Sequence, residues 1–343
     1  MRYFIIISII AISNTVFAQF APGVGEAGCT AIYKDSLAIV DWANTCIVSR
    51  GYINIEDTNL TFTQEDSTSN RAFFGKDSLA LNSAKGAMDV VSLGDGGVAT
   101  LSFNFPIYNG EGADFAVFEN GMKAQSDPYN YFLELAFVEV STDGIKYIRF
   151  PSVSLTQTNT QIGNFDQIDP TKIYNLAGKY EANYGTPFDL QDLADSSGIN
   201  IDSINFIRII DVVGDINTEF ANYDSQGNKI NDPFPTPYWT GGFDLDAVGI
   251  IHSLGQNSID ILDAENLIII YPNPAKLFVK VLINKENIKP KSIDIVDVSG
   301  RIIKHYNCNT NNNTLNISEL KTGLYFINIL VNNNIITKKL IVD

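Results

Sequence analysis

Phe206-Ile207-Arg208-Ile209-Ile210 and, farther on, Phe243-Asp244-Leu245-Asp246-Ala247-Val248-Gly249-Ile250-Ile251 are two strand-like runs with a long acidic segment between them. β-branched and aromatic side chains suit a pleated, half-buried surface, so both runs predict strands. A compact domain seldom leaves about 20 or more residues without regular structure unless function or a bound ion holds them. Asp211, Asp215, Asp224, Asp232, Asp244 and Asp246 are the available holders. Calcium takes carboxylate, amide and carbonyl oxygens, which makes Asp211, Asp215, Asp224, Asp244 and Asp246 a candidate calcium set. Asp244 and Asp246 are two apart on a strand, so both face one side while Phe243, Leu245 and Ala247 face the other. That pattern predicts a site at a sheet's edge. The competing reading is that these residues populate turns, where Asp, Asn and Gly are favoured.

The chain has 343 residues, enough for two domains with a core each. Its net charge of −16 argues against nucleic acid and anionic membrane surfaces as partners. His252 and His305 are its two histidines, which excludes a His-rich zinc site and makes imidazole catalysis an unpromising reading. Cys29, Cys46 and Cys308 include no CxxC pair, so thiol-rich metal sites and thioredoxin-like chemistry are also excluded.

Arg2, the apolar run Tyr3 to Ile12 and Val16-Phe17-Ala18 before Gln19 predict a secretion signal over residues 1–18. The alternative, a membrane anchor, asks about ten apolar residues to span a bilayer that needs about twenty. Export permits a Cys29–Cys46 disulfide with Cys308 left single. Asp35 and Ser36, followed by Ile39, Trp42, Ala43 and Cys46, predict one short amino-terminal helix.

Beyond Gly51 the pattern is of strands. Val90 to Leu93, Gly94-Asp95-Gly96-Gly97 and Val98 to Phe105 predict strand, tight turn and strand. The glycines lack the GK[ST] ending of a phosphate loop. Asp114 to Phe118 alternates and ends in Glu119, Asn120 and Gly121, which suits the rim of a sandwich. Leu133 to Val140 and Ile145 to Phe150 flank Thr142-Asp143-Gly144 as a hairpin. The fold class is therefore mainly β: an antiparallel, jelly-roll-like β-sandwich over residues 19–253, one short helix, then a polar linker over 254–269 and a second β domain over 270–343.

Three resemblances refine this. Val138 to Tyr147 resembles the strand-turn-strand of galactose-binding-like modules of the discoidin type. Gly110 to Gly121, Phe188-Asp189-Leu190 and Gly242 to Val248 together resemble an uncharacterised family of bacterial cell-surface proteins with no assigned reaction. Tyr271-Pro272-Asn273-Pro274, the Asp297-Val298-Ser299-Gly300 turn, Gly323-Leu324-Tyr325 and the terminal Lys339-Leu340-Ile341-Val342 occur in order. They resemble the type A C-terminal sorting domain of the type IX secretion system of Bacteroidetes. That resemblance implies a small Ig-like sandwich read by the outer-membrane export machinery and then removed, with the cargo attached to the surface or released. Read from the residues alone, the segment is an antiparallel domain whose prolines fix the entry of its first strand.

Three functions suit the main domain. The first is a calcium-stabilised module that binds an extracellular ligand such as a glycan, through Tyr238 and Trp239 of Phe234-Pro235-Thr236-Pro237-Tyr238-Trp239 together with Glu119 and Asn120. The alternative for the two aromatics is a loop pinned to the core. The second is surface capture of a nutrient, for instance a corrinoid cofactor, for an outer-membrane transporter. The third is a glycoside hydrolase using two carboxylates from Glu119, Glu134, Glu139 and Asp244, about 5 to 9.5 Å apart. Binding is favoured over catalysis, because no motif places a nucleophile beside a base.

Overall fold

The computed structural model describes residues 20–343 apart from 65–66, 125–126, 128, 256–267, 285–289, 299, 309 and 332–333. The predicted signal segment and nearly all of the predicted linker lie outside the described residues. The chain divides into two compact units, Met1–Ser253 and Leu254–Asp343. Among the described residues no helix is long and apolar enough to cross a membrane.

The first unit is built on two antiparallel sheets. One is six-stranded and orders Ile32–Tyr33, Tyr184–Phe188, Phe115–Glu119, Asp244–Ile250 and Asp41–Trp42, with Val91–Ser92 also paired to Asp244–Ile250. The other is five-stranded and orders Ile148–Arg149, Ala136–Ser141, Ile204–Asp211, Val98–Ile107 and Thr45–Ser49. Phe115, Val117, Leu245, Val248 and Ile250 from the first meet Leu101, Val138, Val140, Ile207 and Ile209 from the second in one core. Phe115, Phe150 and Phe188 pack ring against ring at its centre, with centroids 5.1 to 5.8 Å apart. Each such ring contributes roughly 1.5–3 kcal/mol by leaving water.

Phe115–Glu119 and Asp244–Ile250 are buried along their whole length. The outer face of their sheet is covered too, where Ala84, Ala116, Phe118 and Ala247 pack with Ile39 and Trp42. A strand covered on both faces cannot show an exposed polar edge, so Asp244 and Asp246 lie inside the unit. The register shifts between Leu245 and Ala247, opposite Glu119 and Phe118. This bulge gives the strand its extra residue at Asp246.

The amino-terminal helix is a correction. Residues 35–46 form a turn, the strand Asp41–Trp42 and the start of the strand Thr45–Ser49. Ile39 and Trp42 pack on the outer cluster, whereas Ala43 and Cys46 belong to the central core. The apolar spacing arises because the chain crosses from one sheet to the other here. Ala43 N–H donates to Val248 O, and Asn44 N–H donates to Ser102 O. Tertiary partners thus outweigh the local periodicity.

The glycine turn is likewise a crossover and not a hairpin. Val91–Ser92 pairs with Asp244–Leu245, and Val98–Ile107 pairs with the other sheet. Gly94 at φ +74° has its own Cβ position within 2.7 Å of Gly51 O, which no larger residue would tolerate. Cys29, Cys46 and Cys308 are free thiols, so the Cys29–Cys46 disulfide does not form here. The predicted hairpin around Asp143-Gly144 is present, with Glu139 opposite Arg149 and Val140 opposite Ile148.

The long segment after Asp211 carries no strand up to Asp244, and protein groups hold it. Val212 and Ile230 pack with Leu133, Leu135, Phe137 and Ile162 in a separate apolar cluster. Asn231 Oδ1 accepts from Ile162 N–H at 3.0 Å, and its amide donates to Thr160 O at 2.9 Å.

The second unit is a small sandwich. Ile268–Tyr271, Phe278–Ile283 and Asn312–Asn316 form one sheet. Ile302–Asn307, Ser292–Val296, Gly323–Val331 and Asn334–Val342 form the other. Val279, Val281, Ile293, Ile295, Ile327, Ile329 and Leu340 fill the space between them.

Candidate functional site

The strands Phe115–Glu119 and Asp244–Ile250 end together, and Leu133–Leu135 passes beside them. Their ends deliver Asn120, Asp244 and Glu134 to one cavity of about 420 Å³. Its walls are Phe132, Phe165 and Tyr238, with Met88 and Met122. The rings form a contiguous row: the Phe132 and Phe165 centroids are 6.1 Å apart and those of Phe165 and Tyr238 6.5 Å apart. Met88, Met122, Phe165 and Tyr238 are exposed. Clustered apolar side chains left in water at a concave polar site make this cavity the candidate binding site.

The floor is acidic. Asp244 accepts from Ser92 Oγ and, at 2.9 Å, from Asn120 Nδ2. Burial raises its carboxyl to about 6, against the lowering effect of those two donors and of Arg50. Arg50 itself is spent elsewhere, donating to Phe74 O and Gly75 O and pairing with Asp77 at 3.2 Å. Glu134 is only 6% exposed, and its carboxyl makes no hydrogen bond among the described residues. Burial, then the charges of Asp244, Glu119, Asp232 and Asp211, push it well above the usual carboxylate range. Gly178 makes its position possible: at φ +81° the glycine lets Glu134 O approach to 1.9 Å from where a Cβ would sit. Glu119 lies beneath. Its Oε2 accepts from Gly121 N–H at 2.7 Å, whereas its Oε1 is buried without a partner. Burial, followed by Asp244, raises its carboxyl well above the ordinary value.

The sequence-predicted ligand residues separate here. Asn120 and Tyr238 line the cavity and Glu119 supports it. Trp239 does not line it. Its carbonyl accepts from Phe73 and Phe74 N–H, and its ring lies against Phe62 at 5.5 Å and Phe73 at 6.5 Å. Glu139 is elsewhere, paired with Arg149 at 2.9 Å and Arg208 at 3.4 Å.

The predicted calcium residues serve different backbone segments. Asp211 accepts from Phe243 N–H at 2.7 Å and Gly96 N–H at 2.9 Å. Asp224 accepts from Ser154, Gln226 and Asn228 N–H, and these bonds hold its carboxyl below the ordinary range despite burial. Asp246 accepts from Lys85 and Gly86 N–H. Asp215 Oδ1 accepts from Asn217 N–H at 2.7 Å, while its Oδ2 is buried without a partner. Among the described residues no group of three or more His, Cys, Asp or Glu side chains is placed to hold a metal ion.

Glu134, Phe132, Phe165 and the methionines are the wall and floor residues that motif reading did not assign to binding. Glu134 carried one usable signal. It sits between Leu133 and Leu135 with no basic neighbour nearby in sequence to satisfy it.

In the second unit, Asn273 clips the last strand. Its Nδ2 donates to Lys339 O and its Oδ1 accepts from Ile341 N–H, both at 2.8 Å. Tyr271 ends the first strand opposite Lys280, and Tyr271-Pro272 and Asn273-Pro274 are both cis. Gly300 closes the Asp297 turn at φ +83°, with its N–H donating to Asp297 O. Gly323 opens a strand opposite Val342.

No curated protein matches the chain. Among solved structures, it is similar to PorZ, a bacterial surface component of the type IX secretion system of Porphyromonas gingivalis. The identity is 15%, over 29% of this chain and 14% of that one, with a TM-score of 0.20. It is similar to the BSP domain of a biofilm associated protein at 13% identity, over 72% of this chain and 48% of that one, with a TM-score of 0.22. It is also similar to the β-glucuronidase of Ruminococcus gnavus at 9% identity, over 90% and 46%, with a TM-score of 0.18. The chain thus spans less than half the length of each of these proteins. Residues 269–343 match the secretion system C-terminal sorting domain, and the carboxy-terminal unit therefore belongs to the type IX sorting-domain family.

Proposed function

We propose that the first unit is a binding module for an extracellular ligand such as a glycan, held in the cavity floored by Glu134 and Asp244. The sorting domain makes the protein a substrate of the type IX machinery, secreted or displayed at the cell surface. The observation that carries the binding reading is the aromatic row of half-buried Phe132 and exposed Phe165 and Tyr238 beside buried hydrogen-bonding groups. Flat rings suit the apolar faces of a sugar, and carboxylates and amides suit its hydroxyls. A glycan array probed with the labelled exported protein tests this. The expected result is a restricted set of hits that free oligosaccharide of the same kind competes away; an array with no competed hit would contradict a glycan ligand.

Attachment at the outer membrane after removal of the sorting domain is part of the same proposal, and it rests on what the family implies. The intact mass of the surface form decides it: a species lacking residues 270–343 is expected, and retention of that segment would contradict it.

Calcium as a stabiliser is a second reading, favoured by the partnerless Asp215 Oδ2 and by the like charges of Asp95, Asp211, Asp215 and Asp232. An ion that binds only the folded state stabilises it by about 2.7 kcal/mol at a hundredfold excess over its Kd. A melting midpoint higher in millimolar calcium than in chelator at matched ionic strength supports this reading, and equal midpoints contradict it.

A further inference from the structure

The cavity's charge and its wall are mismatched for a neutral occupant. Among the described residues lining it, Glu134 and Asp244 are ionisable acids and none is Lys, Arg or His. Both carboxyl groups are more than nine-tenths buried, and Glu134 has no hydrogen-bond partner among the described residues. The acids around them, Glu119, Asp211 and Asp232, further oppose ionisation of Glu134, whereas Arg50 favours it at Asp244. The other wall is aromatic and sulfur-bearing. Ring faces attract cations through their quadrupole, and a desolvated carboxylate is stable only beside a positive partner. A neutral sugar would satisfy the rings and leave the Glu134 carboxyl protonated, whereas a cation would pair with it once ionised.

We propose that the ligand carries a protonated amine, seated between Phe132, Phe165 and Tyr238 on one side and Glu134 and Asp244 on the other. The class is an amine-bearing saccharide, whose ring stacks on the aromatics while its ammonium N–H groups donate to the carboxylate oxygens. This inference rests on the binding reading above and adds the charge of the ligand. Seating the ammonium ionises Glu134, whose proton passes to solvent, or to the amine where it arrives as the free base; no other bond forms or breaks.

The test compares two probes that differ in one charge. Glucosamine oligomers and their N-acetylated counterparts are titrated into the exported protein by calorimetry at about neutral pH, in two buffers of different ionisation enthalpy. The expected result is at least tenfold tighter binding of the free amine, with more proton release than the amine's own protonation on binding accounts for. Glu134→Gln keeps the shape of the side chain and should abolish both the preference and the proton release. Asp189→Asn, in the separate cavity beside Lys179, should leave both unchanged. Melting curves confirm that each variant is folded. Equal affinity for the two probes would overturn the amine assignment while the glycan reading stands. Failure of both probes, with a neutral glycan competing at the same rings, would do the same. Calcium binding that Glu134→Gln abolishes, without amine binding, would overturn it in favour of a metal. Failure of every amine and every glycan would remove the binding reading as well.

Discussion

Asn120 Nδ2 donates to Asp244 Oδ2 at 2.9 Å, which joins the end of the strand Phe115–Glu119 to the start of the strand Asp244–Ile250. The same amide donates to Ala87 O at 3.1 Å, so one side chain ties three segments at the cavity floor. Asn120→Ala leaves a buried carboxylate short of a donor. The expected cost is about 1–3 kcal/mol, with a further rise in the Asp244 pKa. Chemical denaturation and carboxylate titration by NMR measure the two effects, and an unchanged Asp244 pKa would remove Asn120 from this role.

Stability should fall as pH rises from about 4 to about 7. Burial lifts the Asp244 carboxyl to about 6 and that of Asp95 to about 7, from an ordinary value of 3.8. Between those limits the unfolded chain has lost protons that the folded protein still holds. The unfolded state binds fewer protons, so ΔG of unfolding declines with pH, by at most about 1.4 kcal/mol per unit for each group. This contribution is fully present below about pH 4 and gone above about pH 7. Asp95→Asn should flatten the upper part of the profile. Urea midpoints that climb across this range would contradict the burial argument.

Trp239→Ala should cost stability, roughly 2–4 kcal/mol, because the ring is held by Phe62 and Phe73. Its effect on ligand affinity should be small, since it does not line the cavity. Melting and binding measured on the same sample separate the two, and a large affinity loss at unchanged melting would place Trp239 in the site.

Asn273→Ala should impair export. It removes both bonds that Asn273 makes to the last strand, at Lys339 O and Ile341 N–H, each worth about 0.5–1.5 kcal/mol. Surface and periplasmic fractions measure the outcome, and normal surface levels would show that the clip is dispensable for sorting.

The β character, the Asp143-Gly144 hairpin and the sorting domain were legible because each depends on local signals: alternation, a turn dipeptide and an ordered motif. The short helix was misread for a physical reason. Ile39, Trp42, Ala43 and Cys46 carry helical spacing, but they serve two apolar clusters on opposite sides of one sheet. Asn120, Tyr238 and Asp244 were singled out, although Asp244 as a cation ligand or a candidate catalytic acid and not as part of a cavity floor. Glu134 was read only as one of several candidate catalytic acids. Its importance comes from burial by Phe132, Phe165 and the loops around them, which no local pattern encodes. Trp239 and Tyr238 are adjacent and alike in sequence, and only the fold shows that one holds the loop while the other lines the cavity.

The central claim is that the aromatic row over Glu134 and Asp244 is where the extracellular ligand binds. Calorimetry of the best array hit against the wild-type protein and the double variant Phe165→Ala/Tyr238→Ala tests it most directly. Both side chains are exposed at the cavity, so melting should change little while affinity drops about tenfold to several-hundredfold, given about 0.5–2 kcal/mol for each ring contact. Unchanged affinity in a folded double variant would contradict the claim.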